Sequence, residues 1–197
     1  MKKQATLFSE KETPILEELS LGEAEEIASQ IKAAVCVHCE RLEVAGSIRR
    51  KKLRVHDIDF VAVAKSDAEW KKIGKRLKRM KAKPGCAGGS IIKAHLPCQN
   101  GLFQVDIYRA QPPTFGVHLL IRTGSAEHNM WLAGYAISKG MRLKYSEGLI
   151  KEGVPVAGAD ERGVFAALGL PCPAPQQREI VEKKPAWMIG SSSEQSL

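Results

Sequence analysis

Apolar and polar positions repeat with two different periods along this chain, and the changes of period mark its elements. Behind Ser20 and Glu23, a Ser-x-x-Glu capping pair, Ala24, Ile27, Ala28, Ile31 and Val35 recur at helical spacing, which predicts a helix over about 21–35. A strand over 41–46 ends in Gly46-Ser47 and opens a short helical turn at 48–50. From 57 to 64 the period is two: Ile58, Phe60, Ala62 and Ala64 share one face, while Asp57 and Asp59 lie on the other. Ser66 and Glu69 form a second capping pair, and Trp70, Ile73, Leu77 and Met80 mark the buried stripe of a helix to about 80. The glycine-rich stretch 83–89 predicts a loop. It leads into a strand at 91–96, a tight connection around Asn100-Gly101, and a second strand in which Phe103, Val105 and Ile107 alternate with Gln104, Asp106 and Tyr108. Two prolines in 111–114 end this sheet. Beyond them, 115–121 is apolar enough to be buried, and 126–139 reads as a helix closed by Gly140. Short strands at 142–145 and 148–151, a turn at Glu152-Gly153 and a helix near 160–168 ending at Gly169 complete the pattern. Residues 1–13 and the tail 183–197 are polar and are expected to be disordered.

At 197 residues the chain is long enough for one large domain or two small ones. Its net charge of +8, with a pI near 9.3, points to a polyanionic partner, although a ribosome-associated or membrane-surface protein would share that charge. The charge is concentrated: residues 41–83 hold fifteen Lys or Arg against five Asp or Glu. No apolar run approaches the roughly 20 residues needed to span a bilayer, and the N-terminus lacks an apolar signal core, so a cytoplasmic protein is expected. Five cysteines without framework spacing fit a reducing compartment. Cys36 and Cys39 form a CxxC around His38, with Cys86 and Cys98 further on. Zinc ligation there is the minor reading beside small buried thiols.

The candidate chemistry begins with carboxylates. Side chains two apart on a strand lie roughly 7 Å apart on one face, so Asp57 and Asp59 repel unless a cation sits between them. If the Asp106 strand pairs alongside, at about 4.8 Å, a third carboxylate joins them and the site suits Mg²⁺. Gly46-Ser47 exposes backbone N–H groups beside a hydroxyl and an arginine, a weak phosphate-binding signal by itself and a strong one when Asp-x-Asp follows on a strand. Lys71, Lys72, Lys75, Arg76, Lys78 and Arg79 form either a solvated helix face or a track for a nucleic-acid backbone. His56 should point away from Asp57, and Trp131 and Tyr135, four apart on a helix, read as packing residues rather than base-stacking ones.

GSIRRKKLRVHDIDFVAV, VDIY, TGSAEHN and the closing VFAALGLPCPAPQQRE together resemble the palm and thumb of family X DNA polymerases, the group that includes polymerase beta, over roughly residues 20–182. Gly-Ser with Asp-x-Asp alone would indicate only the wider nucleotidyltransferase superfamily. The resemblance implies an α+β fold: a nucleotidyltransferase palm over 14–111, with a mixed or antiparallel sheet and helices on one face, then a small α+β thumb over 112–182. It implies that Asp57, Asp59 and Asp106 hold two Mg²⁺ ions, with Mn²⁺ as a substitute, and that Asp106 sits by the primer 3′ hydroxyl. Gly46, Ser47 and Arg50 would grip the β and γ phosphates. Arg122, Thr123, Gly124 and Ser125 would lie by the nucleotide sugar, and Asn129 would meet the base. The implied partners are gapped or nicked primer-template DNA and nucleoside triphosphates, handled by a monomer.

The departures carry expectations too. The aromatic pair that precedes TGS in the family is here Ile121-Arg122, which implies weak discrimination between dNTPs and rNTPs. An arginine two residues before the third aspartate is replaced by Gln104, and the thumb position that reads the templating base is Ala133, which implies low fidelity. Neither a lyase domain nor a fingers domain is recognisable before residue 41. The alternative activity is template-independent nucleotidyl transfer to RNA ends, protein or a small molecule. A non-catalytic nucleic-acid-binding module is disfavoured, since it gains nothing from three clustered acids.

Overall fold

The computed structural model describes residues 13–179, so both stretches expected to be disordered fall outside it except for Thr13. The chain runs β1 (Leu19–Ser20), α1 (Leu21–Val35), β2 (Cys39–Val44), α2 (Gly46–Arg49), β3 (Arg54–Val55), β4 (Ile58–Ala64), α3 (Asp67–Arg79), β5 (Lys83–Ala87), β6 (Ile91–Cys98) and β7 (Gly101–Arg109). It continues through α4 (Phe115–Thr123), α5 (Ala126–Ser138), β8 (Met141–Lys144), β9 (Gly148–Lys151), β10 (Val154–Ala157) and α6 (Glu161–Ala167). The result is a mixed α+β fold. Its main sheet has the order β2-β4-β7-β6-β5, in which only β4 and β7 are parallel. Parallel neighbours need a crossover, and α3 with the β5–β6 hairpin supplies it.

Ser20 and Glu23 make the full capping box, each side chain bonding the other's backbone N–H. The second capping pair is only half formed. Ser66 Oγ accepts from Glu69 N at 3.2 Å, but the Glu69 carboxylate is taken by His38 and Lys72 at 2.6 Å each. The buried stripes of α1 and α3 pack with Ile58, Phe60, Val105, Ile107, Ile92 and Ala94 into the larger core.

β4 is not half-buried. Val61 and Val63 are as buried as Phe60, because α4 covers them from the second face with Phe115 and Leu119. A central strand covered on both sides reads as a near-continuous apolar run, which is what 60–64 is. The stretch expected as a glycine-rich loop is the edge strand β5, every residue of it exposed, where Pro84 is tolerated because one side of the strand has no neighbour. Likewise the small sheet gains a third strand, β10, hidden in the sequence by Pro155 and lying at the edge of the order β10-β9-β8. The segment 115–121 is helical and buried nearly all round, so it offers no helical periodicity to read. Its Val117 and Leu120 join Leu132, Leu149 and Phe165 in a second core.

Candidate active site

The site is built where β2, α2, β4 and β7 meet. The parallel register sets Asp59 directly beside Asp106, and alternation puts both on the face opposite α1 and α3, together with Asp57 just before β4. Gly46 has φ of +58°, which a side chain rarely adopts, and a Cβ there would run into Asp59 Oδ2. Ala45 N donates to Asp59 O at 2.8 Å, so the Gly46-Ser47 turn is fixed against the acidic face. Ser47 Oγ is buried there with no hydrogen-bond partner among the described residues. Gly46→Ala is therefore expected to cost about 1–2 kcal/mol from the left-handed backbone alone. A thermal unfolding curve measures this, and an unchanged midpoint would contradict the tight approach to Asp59.

Burial and the neighbouring Asp106 push the Asp57 carboxyl up. Burial, then Asp57 and Asp106, push Asp59 up to about 7. Both shifts report carboxylates short of positive charge, and such a hard oxygen donor set suits a divalent cation. Asp106 is 1% exposed and has turned to local donors: Lys93 Nζ pairs with it, Tyr108 OH donates at 3.0 Å and Gln104 Nε2 at 3.2 Å. Correspondingly, no cluster of three or more His, Cys, Asp or Glu poised around one metal position is found among the described residues. At the CxxC, His38 is bonded to Glu69, Cys36 is exposed and Cys39 is buried, an arrangement that fits the reading of these thiols as small packing residues.

Lys93 is a site residue that the sequence pattern did not single out. The β6–β7 turn is Gln99-Asn100, with Cys98 paired to Gly101, and this register places Lys93 opposite Asp106. A turn one residue later would have put His95 there.

The TGS segment comes to the same place through arginines. Thr123 Oγ1 accepts from Arg49 Nη1 at 2.7 Å, Thr123 O accepts from Arg50 Nη1, and the Gly124 backbone, with φ of +70°, lies against the same Arg50 group. Ser125 Oγ caps α5 through His128 N at 3.3 Å and donates to Arg178 O at 3.0 Å. Asn129 Nδ2 donates to Ile121 O at 2.7 Å, so its amide holds the end of α4. Arg122 stacks 3.6 Å from the Tyr108 ring centroid and donates to Tyr145 OH at 2.9 Å. Aromatic bulk absent from the pair 121–122 thus stands on both sides of Arg122.

Glu161 carries the Arg49 guanidinium in a bidentate pair at 2.9 and 2.6 Å and also accepts from Arg178 at 2.6 Å. Arg50 donates to Glu179 at 2.6 Å, and Lys52 pairs with the same carboxylate at 2.9 Å. None of Arg49, Lys52, Glu161, Arg178 and Glu179 was singled out as a site residue from the sequence. The closing Arg-Glu dipeptide was the only signal.

The α3 cations are not part of this cleft. α3 packs through Trp70, Ile73 and Leu77 on the sheet face away from the triad. Lys71, Lys75 and Lys78 rim a cleft of about 610 Å³ against β5 and β6. Lys72, Arg76 and Arg79, with Lys75, line another of about 490 Å³ against the end of α1. His56 is exposed and bonds Glu17 O at 2.9 Å, while Trp131 and Tyr135 stack on each other at 5.4 Å beside the second core. His118 and His128 are buried, and burial pulls both imidazoles down to about 4.

Residues 118–179 match the family model of the DNA polymerase beta thumb. Among solved structures the chain is similar to the polymerase beta of Leishmania infantum, crystallised as a ternary P/T complex, with a TM-score of 0.73 at 20% sequence identity, over 83% of this chain and 77% of that one. No curated protein matches the sequence. No helix among the described residues is long and apolar enough to cross a membrane.

Proposed function

We propose that this chain, a family X polymerase-like protein by its fold and its thumb, adds nucleotides to a primer 3′ hydroxyl at short gaps or nicks in DNA. The primer oxygen attacks the α phosphorus of a nucleoside triphosphate. A new P–O bond forms, the bond to the bridging oxygen breaks, and pyrophosphate leaves. Asp106 takes up the hydroxyl proton. Gly46, Ser47 and Arg50 hold the β and γ phosphates, and the buried Ser47 hydroxyl, without a partner among the described residues, fits a phosphate oxygen. Thr123, Gly124 and Ser125 support the sugar, with Arg122 and Asn129 beside them. Asp57, Asp59 and Asp106 would hold two Mg²⁺ ions, or Mn²⁺, which would neutralise charge on the reacting phosphate. What carries this proposal is the contact of the Gly46 turn with Asp59, since it joins a phosphate-holding backbone to the acidic face. Transfer is then largely a matter of position and charge. The α3 cations act at a distance, drawing a duplex to the protein by diffuse attraction. The enzyme works as a cytoplasmic monomer.

Primer extension on a one-nucleotide gap and on bare single strand, with dNTPs or rNTPs in Mg²⁺ or Mn²⁺, tests the proposal. Templated addition that disappears in Asp106→Ala is expected, with rNTPs used within about tenfold of dNTPs, since no more than one modest packing contact separates them. Absence of extension by the wild-type chain in either metal would overturn it. Equal addition to bare single strand would favour template-independent transfer, a reading that the small Ala133 side chain admits.

A further inference from the structure

Arg50 is asked to do two things at once. Its Nη1 group donates to Thr123 O and fixes the end of α4, while its Nε donates to Glu179 at 2.6 Å. The second oxygen of the same carboxylate takes Lys52 Nζ at 2.9 Å. Glu179 therefore spans two cations of the Gly46 turn with two anionic oxygens, which is also how the terminal phosphates of a nucleotide would engage them. The partners differ in how firmly they are held. Arg178, one residue earlier, is 1% exposed and locked to Glu161 at 2.6 Å and to Pro173 O at 3.1 and 3.3 Å. Glu179 itself is 35% exposed, and Lys52 is 44% exposed. The anchor and the carboxylate are thus separate: Glu179 can swing into solvent without dismantling the packing around Arg178.

We infer that Glu179 is a carboxylate latch that competes with the β and γ phosphates of the nucleotide for Arg50 and Lys52, and so sets the affinity for the triphosphate. This rests on the assignment of the Gly46 turn to phosphate. It adds Lys52 to the phosphate-holding groups and gives Glu179 a role in substrate choice. The latch discriminates by the number of phosphates. A monophosphate has no group that reaches the contested cations, whereas a triphosphate or tripolyphosphate offers two oxygens in exchange for two.

Equilibrium binding of dATP, tripolyphosphate and dAMP to the full chain in Mg²⁺ tests it, comparing wild type with Glu179→Gln and Glu179→Asp. Glu179→Gln is expected to bind dATP and tripolyphosphate about five- to tenfold tighter, the loss of one competing charge–charge contact, with dAMP unchanged. Glu179→Asp, which keeps the charge but is too short to span both cations, is expected to fall between. Equal or weaker triphosphate binding by Glu179→Gln, at an unchanged unfolding midpoint, would overturn the latch alone. Failure of both wild type and Glu179→Gln to bind dATP or tripolyphosphate would overturn the phosphate assignment itself, and the latch with it.

Discussion

Asp59→Asn is expected to make the protein more stable and to remove the proposed nucleotidyl transfer. Burial, Asp57 and Asp106 raise the Asp59 carboxyl to about 7, so between pH 4 and 7 the folded chain holds a proton that the unfolded chain has released. Wild-type stability therefore falls as pH rises through that window, and the cost is complete above it. Three pH units would be about 4 kcal/mol, and relaxation with water entry halves this to about 2 kcal/mol. Asparagine carries no such cost. In EDTA at pH 8 its unfolding midpoint should lie on the order of 5 °C above wild type, with the difference vanishing near pH 4. Mg²⁺ should raise wild type more than the variant, because binding to the folded state adds stability. On the proposed function, nucleotidyl transfer should drop by about a thousandfold or more, since the variant would lose a carboxylate that would hold the divalent cation against the phosphate. A variant that melts below wild type at pH 8, or that keeps a tenth of the activity, would contradict this account of the acidic face.

The second large effect belongs to Glu161. Burial alone would raise its carboxyl, but hydrogen bonds from Arg49 and Arg178 outweigh burial and hold it below the usual range. Its side chain is 11% exposed and that of Arg178 1%, so Glu161→Ala leaves a buried guanidinium without its counter-charge. Removing one partner of a buried pair costs about 3–5 kcal/mol, which for a chain of this length lowers the midpoint by on the order of 10 °C. The lowered pKa fixes the sign with pH. The pair contributes above the ordinary glutamate value of about 4.3 and is lost as pH falls through the lower folded value, so wild type and variant should converge in acid. Urea unfolding at pH 7 and pH 3 measures both. A loss under 1 kcal/mol at pH 7 would show that Arg49 and Arg178 find other acceptors.

These two carboxylates differ in how far the sequence disclosed them. The position of Asp59 was readable because strand alternation fixes its face, and a neighbouring acidic strand with the same alternation supplies Asp106. What stands next to Asp106 was not readable. Turn position decides it, and Gln99-Asn100 against Asn100-Gly101 exchanges Lys93 for His95. Glu161 gave no local signal at all, since its Arg49 partner is 112 positions away in the chain. The helix of Phe115–Thr123 lacked periodicity because it is buried on all sides, and β5 and β10 were obscured by Pro84 and Pro155, which only an edge admits. The cationic run at 71–79 could be read as a solvated helix face or as a nucleic-acid track because charge is visible in sequence, whereas the side of the sheet on which its helix packs is not.

α4 contributes Phe115 and Leu119 to the group that covers β4, and Val117 and Leu120 to the second core. One helix nine residues long is thus a wall of both hydrophobic clusters. Neither cluster can melt without exposing a face of this helix, and exposing that face opens the other. The prolines at 112–113 divide the chain by topology, but the free energy of the two halves is shared. Cooperativity should run through α4.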